Sequence, residues 1–484
     1  MYSYLKFIKQ ILLVGFIELL GILQTIIFLP VITKLLGVED YGIWTQIKVT
    51  LSLLVPFTFL GLHEALVRFL PGEKNREKIQ EGIYSSLVLV FLANLLIVIL
   101  IFAFSDQLVY FLKFNSAFIK FLSLIVIFEA LNTILLTVTR AFRDIWKYFW
   151  FAFLKLFGEI GLVVLAVFLG YGLYGAVISL LLIRVILFFV LSIYVLAKTG
   201  IKMPNFSLAK DYLSFGLPTA VDGISYWVIT SVDRYFIGFF WGILFVGYYA
   251  PAYSLGTLLT AFLFPVAFML SVVLPKAFDE DKIEEVKNYL SHSLKYFLLI
   301  AVPAGFGMSV LSKQLLLILS TKEIADSAHS IVPFISVSII FYGISYFFSE
   351  VLILAKKTKT IALVWTVGAL LNFILNIIFI PSFGILAAAI TTLASYSLCL
   401  ILMAYFSKKE LKFNIDFIFM IKTILASVPM AILILFFNPQ GFFHVCLSVL
   451  LGAVIYFILI FFFKGLGRKE IIFLENLIAP SVKG

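Results

Sequence analysis

The 484-residue chain is 63% hydrophobic and 13% charged, with a mean hydropathy of +1.14. Water-soluble domains run about 45–50% apolar and about 25% charged, so a soluble globular protein is excluded and lipid is the solvent for most of this surface. The 36 Lys and Arg residues outnumber the 26 Asp and Glu, for a formal net charge of +10.

A hydrocarbon core of roughly 30 Å takes about 20 apolar residues per helical span. About fourteen such spans are predicted, at 11–33, 43–69, 83–104, 118–139, 149–170, 173–197, 213–239, 245–274, 294–311, 330–354, 361–380, 384–406, 416–437 and 442–463. The expected fold is therefore all-α and integral to the membrane, with short connections that leave no room for a soluble catalytic domain. The first run is longer than a signal-peptide core and lacks a small-residue cleavage site, so it reads as a retained span. Cys399 and Cys446 lie within apolar runs and read as packing or lipid-facing residues.

Basic residues alternate by loop. Lys6 and Lys9 precede the first span, Lys74, Arg76 and Lys78 follow the second, Arg140, Arg143 and Lys147 follow the fourth, and Lys464, Arg468, Lys469 and Lys483 fill the tail. By the positive-inside rule both termini are expected in the cytoplasm; the protein is expected to be a multi-pass protein of the plasma (inner) membrane. The positive charge is thus a topology signal, and nucleic acid is not an expected partner.

Two pairs of segments repeat. Gly37-Val-Glu-Asp-Tyr-Gly42-Ile-Trp44 matches Gly242-Ile-Leu-Phe-Val-Gly247-Tyr-Tyr249 at an offset of 205, and Gly172-Leu-Tyr-Gly-Ala-Val-Ile-Ser179 matches Gly384-Ile-Leu-Ala-Ala-Ala-Ile-Thr391 at 212. Turn chemistry common at helix starts accounts for either match alone. Their agreement in offset, order and membrane side points to two parallel six-helix lobes, 1–200 and 205–407, followed by two further helices in 408–464 and a cytoplasmic tail, 465–484. Parallel repeats are a transporter architecture, with substrate bound between the halves.

Five stretches carry a resemblance to a known family: Leu35-Leu-Gly-Val-Glu-Asp-Tyr-Gly-Ile-Trp44, Gly61-Leu-His-Glu-Ala-Leu-Val-Arg-Phe69, Ser231-Val-Asp-Arg-Tyr-Phe-Ile-Gly238, Val246-Gly-Tyr-Tyr-Ala-Pro-Ala-Tyr253 and Ile380-Pro-Ser-Phe-Gly-Ile-Leu-Ala-Ala-Ala389. Together, over roughly 1–410, the chain resembles the polysaccharide, or O-antigen, flippases of the multidrug/oligosaccharidyl-lipid/polysaccharide exporter superfamily. The resemblance implies two lobes in a V around a central cavity. It also implies transfer of undecaprenyl-pyrophosphate-linked oligosaccharide from the cytoplasmic to the outer leaflet, with membrane lipids, a polysaccharide polymerase and other assembly proteins as partners. Relatives of the same outline export drugs against Na⁺ or H⁺, so the fold alone does not set the cargo.

Charges in hydrocarbon are expensive and mark candidate sites. Arg184, Glu129 and Glu159 lie at similar depth in one half, either as an ion pair locking that lobe or as substrate contacts. On helices that the resemblance places around the cavity, the candidates are Glu18, Lys48, His63, Glu64, Arg68, Asp222, Asp233 and Arg234. Arg68, Arg184, Arg234 and Lys48 are expected to bind the pyrophosphate, arginine because its fork grips oxygens bidentately; snorkelling to the interfaces is the plainer role for Arg68 and Arg234. Asp222, Glu18 and Asp233 are the expected coupling carboxylates. Glu64 and Arg68, one turn apart, are placed to pair with each other, and Lys48 and Arg68 can share a lumen only if Pro56 bends their span. Gly216 and Pro218 suggest a distortion ahead of Asp222, Glu350 reads as interfacial, and Trp44, Trp146, Trp241, Tyr248 and Tyr249 read as belt aromatics, with sugar stacking a further role for the two tyrosines.

No G-x-x-x-x-G-K-[ST] loop, H-E-x-x-H pair or metal-ligand cluster occurs. No cofactor is expected beyond a coupling ion, Na⁺ or H⁺, and the protein is not expected to be an enzyme. The competing readings are a cation-coupled drug antiporter, which favours an acidic cavity, and a membrane-embedded glycosyltransferase or polymerase, which needs an acidic site and a sizeable outer loop.

Overall fold

The computed structural model describes residues 20–22, 24–142 and 144–465. Every regular element among them is helical. In chain order these are α1 (Leu20–Leu36), α2 (Val38–Phe59), α3 (Leu62–Phe69), α4 (Arg76–Ala103), α5 (Ser105–Leu112), α6 (Ser116–Ala141), α7 (Ile145–Ala166), α8 (Gly172–Thr199) and α9 (Ala209–Phe240). They continue with α10 (Ile243–Thr257), α11 (Phe264–Asp279), α12 (Ile283–Val310), α13 (Ser312–Leu319), α14 (Lys322–Ala328), α15 (Val332–Leu354), α16 (Thr358–Glu410), α17 (Phe417–Phe437) and α18 (Gly441–Phe462). Nine helices among the described residues are long and apolar enough to cross a membrane, or ten when the bent pair α2–α3 counts as one span.

Two of the nine are too long for one crossing. Ile145–Thr199 has 55 residues and Thr358–Glu410 has 53, each about 80 Å if straight at 1.5 Å per residue. Both fold back at glycines held in the left-handed region, Gly170 at φ 86° in the first and Gly384 at φ 61° in the second, a conformation that costs other residues energy. The cross-links prove the hairpins: Ser179 Oγ donates to the Leu162 carbonyl at 3.1 Å, and Arg184 meets Glu159. In α16, Thr391 Oγ1 donates to Asn376 Oδ1 at 2.5 Å, and Lys357 pairs with Glu410 at 3.3 Å. Each hairpin pairs the two spans that the sequence reading separates at these glycines. Trp241 caps the second turn, donating from Nε1 to the Ile380 carbonyl at 2.8 Å.

The span containing Lys48 and Arg68 is bent, but at Leu60–Gly61 rather than at Pro56, and the bend does not bring Arg68 to the cavity that Lys48 lines. The axes of α2 and α3 differ by 53°. By contrast, the backbone is helical throughout Ala209–Phe240, so the distortion expected after Gly216 and Pro218 is not a break. The predicted span 245–274 is divided into α10, a 3₁₀ turn at Leu258–Phe262 and α11.

The repeat glycines do structural work across the molecule. Gly42 on α2 packs so closely on α10 that a Cβ there would lie 2.3 Å from the Ile243 carbonyl oxygen, and a Cβ on Gly247 would lie 2.1 Å from the Val38 carbonyl oxygen. Positions 38 and 42 are related to 243 and 247 by the same offset of 205. The crossing of α2 and α10 is therefore reciprocal, as contacts across a two-fold axis are. Close by, Lys34 Nζ donates to the Ile318 carbonyl at 2.8 Å. At the C-terminal end, α17 packs on α12 and α18, and Tyr456 OH on α18 donates to the Leu299 carbonyl at 2.8 Å.

Candidate functional site

A cavity of about 600 Å³ lies between α1, α2 and α7 on one side and α9, α10, α15 and α16 on the other. Among the described residues its ionisable lining, tyrosines apart, is Lys48, Glu159 and Arg234. Tyr41, Trp44, Tyr226, Tyr253 and Tyr396 contribute aromatic walls, and Gln24, Thr25, Thr45, Ser52, Thr230, Ser231 and Ser254 contribute neutral polar ones. The lining combines two cations, one carboxylate, hydroxyls and ring faces, which suits an anionic ligand bearing polar, stackable groups.

Arg234 is presented by α9 and held rigidly. Its Nη1 meets Asp233 Oδ1 at 2.8 Å and also donates to the Thr230 carbonyl, while the guanidinium lies over the Tyr253 ring at 4.0 Å. Asp233 is fully buried, accepts from Tyr249 OH at 2.5 Å and from the Arg234 backbone N–H at 2.9 Å. Tyr249 is therefore buried as a partner of Asp233, and the Tyr248 hydroxyl bonds Glu323; neither tyrosine is among the residues that line the cavity. Of the aromatic residues that line the cavity, Tyr226 is the exposed one.

Lys48 opens a second cluster. Its Nζ lies 2.7 Å from Glu159 Oε1, and Glu159 Oε2 lies 2.6 Å from Arg184 Nη2. Arg184 Nε also meets Glu129 Oε2, and Glu129 Oε1 lies 2.6 Å from Lys155 Nζ. Five charged side chains from α2, α6, α7 and α8 thus form one chain of contacts leading from the cavity wall into the first half. The side chains of Arg184 and Glu159 are only 3% and 5% exposed; charges so far from water persist only when paired. Lys155 was not singled out from sequence, although a lysine inside the span 149–170, four residues before Glu159, carries the same warning of a buried charge.

The remaining candidates scatter. Arg68 is exposed on α3 and outside the cavity lining. Glu64 meets His63 at 3.4 Å rather than Arg68, although Glu64 and Arg68 lie one turn apart on the same helix. Glu350, near the end of α15, is buried and hydrogen-bonded with Tyr346. Trp44 is buried against Phe28, with Lys48 Nζ 5.7 Å from its ring, and so belongs to the cavity rather than to a belt. Glu18 and the side chain of Asp222 lie outside the described residues.

A family described as polysaccharide biosynthesis protein matches residues 31–329. The chain belongs to that family. Its match takes in α2 to α14, and so Lys48, Glu159 and Arg234. Among characterised sequences, the probable low-salt glycan biosynthesis flippase Agl15 of Haloferax volcanii is 25% identical over 215 residues, 43% of this chain and 44% of that protein. The chain thus spans less than half the length of this relative in the match. Among solved structures, the lipid II flippase MurJ in an inward closed conformation superposes with a TM-score of 0.77 at 20% identity, covering 97% of this chain and all of that one. An inward-facing multidrug resistance MATE transporter of the MOP superfamily superposes with a TM-score of 0.63 at 15% identity, covering 80% and 93%. At these identities the structural likenesses concern the fold, which is that of the MurJ and MATE exporters.

Proposed function

We propose that this protein is a flippase that carries an undecaprenyl-pyrophosphate-linked oligosaccharide from the cytoplasmic to the outer leaflet by alternating access between the lobes 1–200 and 205–407. The observation that carries this reading is the sign of the cavity: among the described residues that line it, Lys48 and Arg234 outnumber Glu159. A pyrophosphate cannot cross hydrocarbon bare, whereas a drug cation would call for the opposite balance. Family membership and the resemblance to Agl15 support the same class of cargo.

In this reading the headgroup and sugars occupy the cavity and the polyprenyl tail stays in lipid, since exposing methylenes to water costs about 0.8 kcal/mol each. The reciprocal crossing at Gly42 and Gly247 closes the outer end and separates when the lobes rock. With no nucleotide-binding loop in the sequence, the driving force is a membrane potential, worth about 2.3 kcal/mol per charge per 100 mV, an ion gradient or the gradient of the cargo itself. Asp233 is the carboxylate best placed to couple Na⁺ or H⁺, because neutralising it changes what Arg234 offers to the cargo; Asp222 and Glu18 are assigned the same role. The cargo passes to a polysaccharide polymerase and other assembly proteins at the outer face.

The orientation is tested by single cysteines in a Cys399→Ser/Cys446→Ser background. With both termini cytoplasmic, cysteines at Asn75, Ser207 and Lys357 are shielded from an impermeant thiol reagent added outside, and those at Asn115 and Asn438 react. Reversed labelling overturns the orientation. The cargo is tested by proteoliposomes offered either a fluorescent lipid-pyrophosphate oligosaccharide or a fluorescent cationic drug. Movement of the first alone is expected; movement of the drug alone replaces this reading by the antiporter.

A further inference from the structure

We propose that Lys48 is the movable cation of the cavity, and that the four charges behind it form an electrically balanced block that releases it to an anionic headgroup. This inference rests on the flippase reading and assigns to Lys155, a residue outside the cavity lining, a positioning role.

The five-membered cluster holds three cations and two carboxylates. Lys48 is its most exposed member, with 36% of its side chain accessible against 24% for Lys155, 13% for Glu129, 5% for Glu159 and 3% for Arg184. If Lys48 swings into the cavity, the residue left behind is Arg184 and Lys155 against Glu129 and Glu159, which is neutral. Glu159 still keeps its contact with Arg184 Nη2 at 2.6 Å, and Glu129 keeps both of its cations. No net charge is stranded in the interior, where an uncompensated ion is most costly. Arg234 differs: its departure would leave buried Asp233 with the Tyr249 hydroxyl and a backbone N–H. The arginine is thus a fixed anchor, while lysine, a point charge on a flexible stem, moves between Glu159 and the phosphate oxygens. Lys155 matters because it balances Glu129; without it the block is negative once Lys48 leaves, and Lys48 stays.

The test measures binding of a short-chain isoprenyl pyrophosphate to the full-length protein by calorimetry, with thermal unfolding of every variant recorded. Lys48→Met should abolish the part of the affinity that depends on this cation, and Glu159→Gln, which removes the competitor, should tighten binding severalfold. Lys155→Met should weaken binding by roughly tenfold, the order expected for losing one unit charge about one helix diameter away at an effective dielectric near 20. Lys155→Arg should match the wild type, and the double variant Lys155→Met/Glu159→Gln, balanced again, should bind at least as tightly as the wild type. Equal affinities for Lys155→Met and Lys155→Arg, or weaker binding by Glu159→Gln, overturn the proposal; if Lys155→Met does not fold, the Glu159→Gln result decides alone. Absence of binding to the wild type would instead count against the flippase reading itself.

Discussion

Gly247→Val is expected to hold open the end of the molecule where α2 crosses α10, the outer end in the proposed orientation. The glycine Cα faces the Val38 carbonyl so closely that the first carbon of any side chain would lie 2.1 Å from the oxygen, and backbone on both sides prevents a rotamer from relieving the overlap. Overpacking of this kind costs about 1–3 kcal/mol, which shifts a closed-to-open ratio roughly 5- to 150-fold. Because the contact is reciprocal, Gly42→Val, against the Ile243 carbonyl, should do the same. The readout is labelling of a cysteine at Thr45, a cavity-lining position, by the impermeant reagent in the cysteine-free background. Both variants should label faster than the parent, while Gly307→Ala, where a Cβ meets nothing within 4 Å, should not change. Unaltered labelling in folded Gly247→Val protein would remove the outer gate from this account.

Arg184→Ala should produce the largest loss of stability. It removes the cation lying between Glu129 and Glu159, both mostly buried, and breaking a buried ionic contact by deleting one partner costs about 3–5 kcal/mol. Lys155 and Lys48 still reach one oxygen of each carboxylate, but two like charges then face each other across the vacated site. Arg184→Lys, which retains the charge and loses the fork, should fall between the two. Adding Glu159→Gln to Arg184→Ala should recover part of the loss. The check is thermal unfolding in one detergent; an Arg184→Ala protein that melts with the wild type would mean that the cluster is not what holds α6, α7 and α8 together.

Much of the fold is legible in the chain because hydrocarbon thickness sets span length, and glycines at Gly170 and Gly384 punctuate the runs. The repeat at an offset of 205 even points to the residues where α2 and α10 touch, since glycine at matching positions is what a close crossing needs. The site is less legible. Depth along a helix can be counted, so Arg184, Glu129 and Glu159 stand out together, but in lipid both faces of a helix are apolar and the amphipathic pattern that identifies an inward face in water is absent. That is why Trp44 and Tyr249 read as border aromatics although they are buried at the cavity and its arginine. It is also why Arg68, on the far side of a bend placed four residues from the expected proline, is grouped with Lys48 although the two part company in space. Lys155 is overlooked for a different reason: its partner Glu129 is 26 residues away, and only the folded helices bring the pair together.

In the proposed function, cations in the cavity carry a lipid-linked pyrophosphate glycan across the membrane. The most direct test is the initial rate of flipping of a fluorescent lipid-linked oligosaccharide in proteoliposomes containing equal amounts of folded wild type, Lys48→Ala, Arg234→Ala and the double variant. A reduced rate is expected in each single variant, partial recovery in Arg234→Lys, and no flipping above protein-free vesicles in the double variant. A double variant that flips at the wild-type rate would contradict this reading.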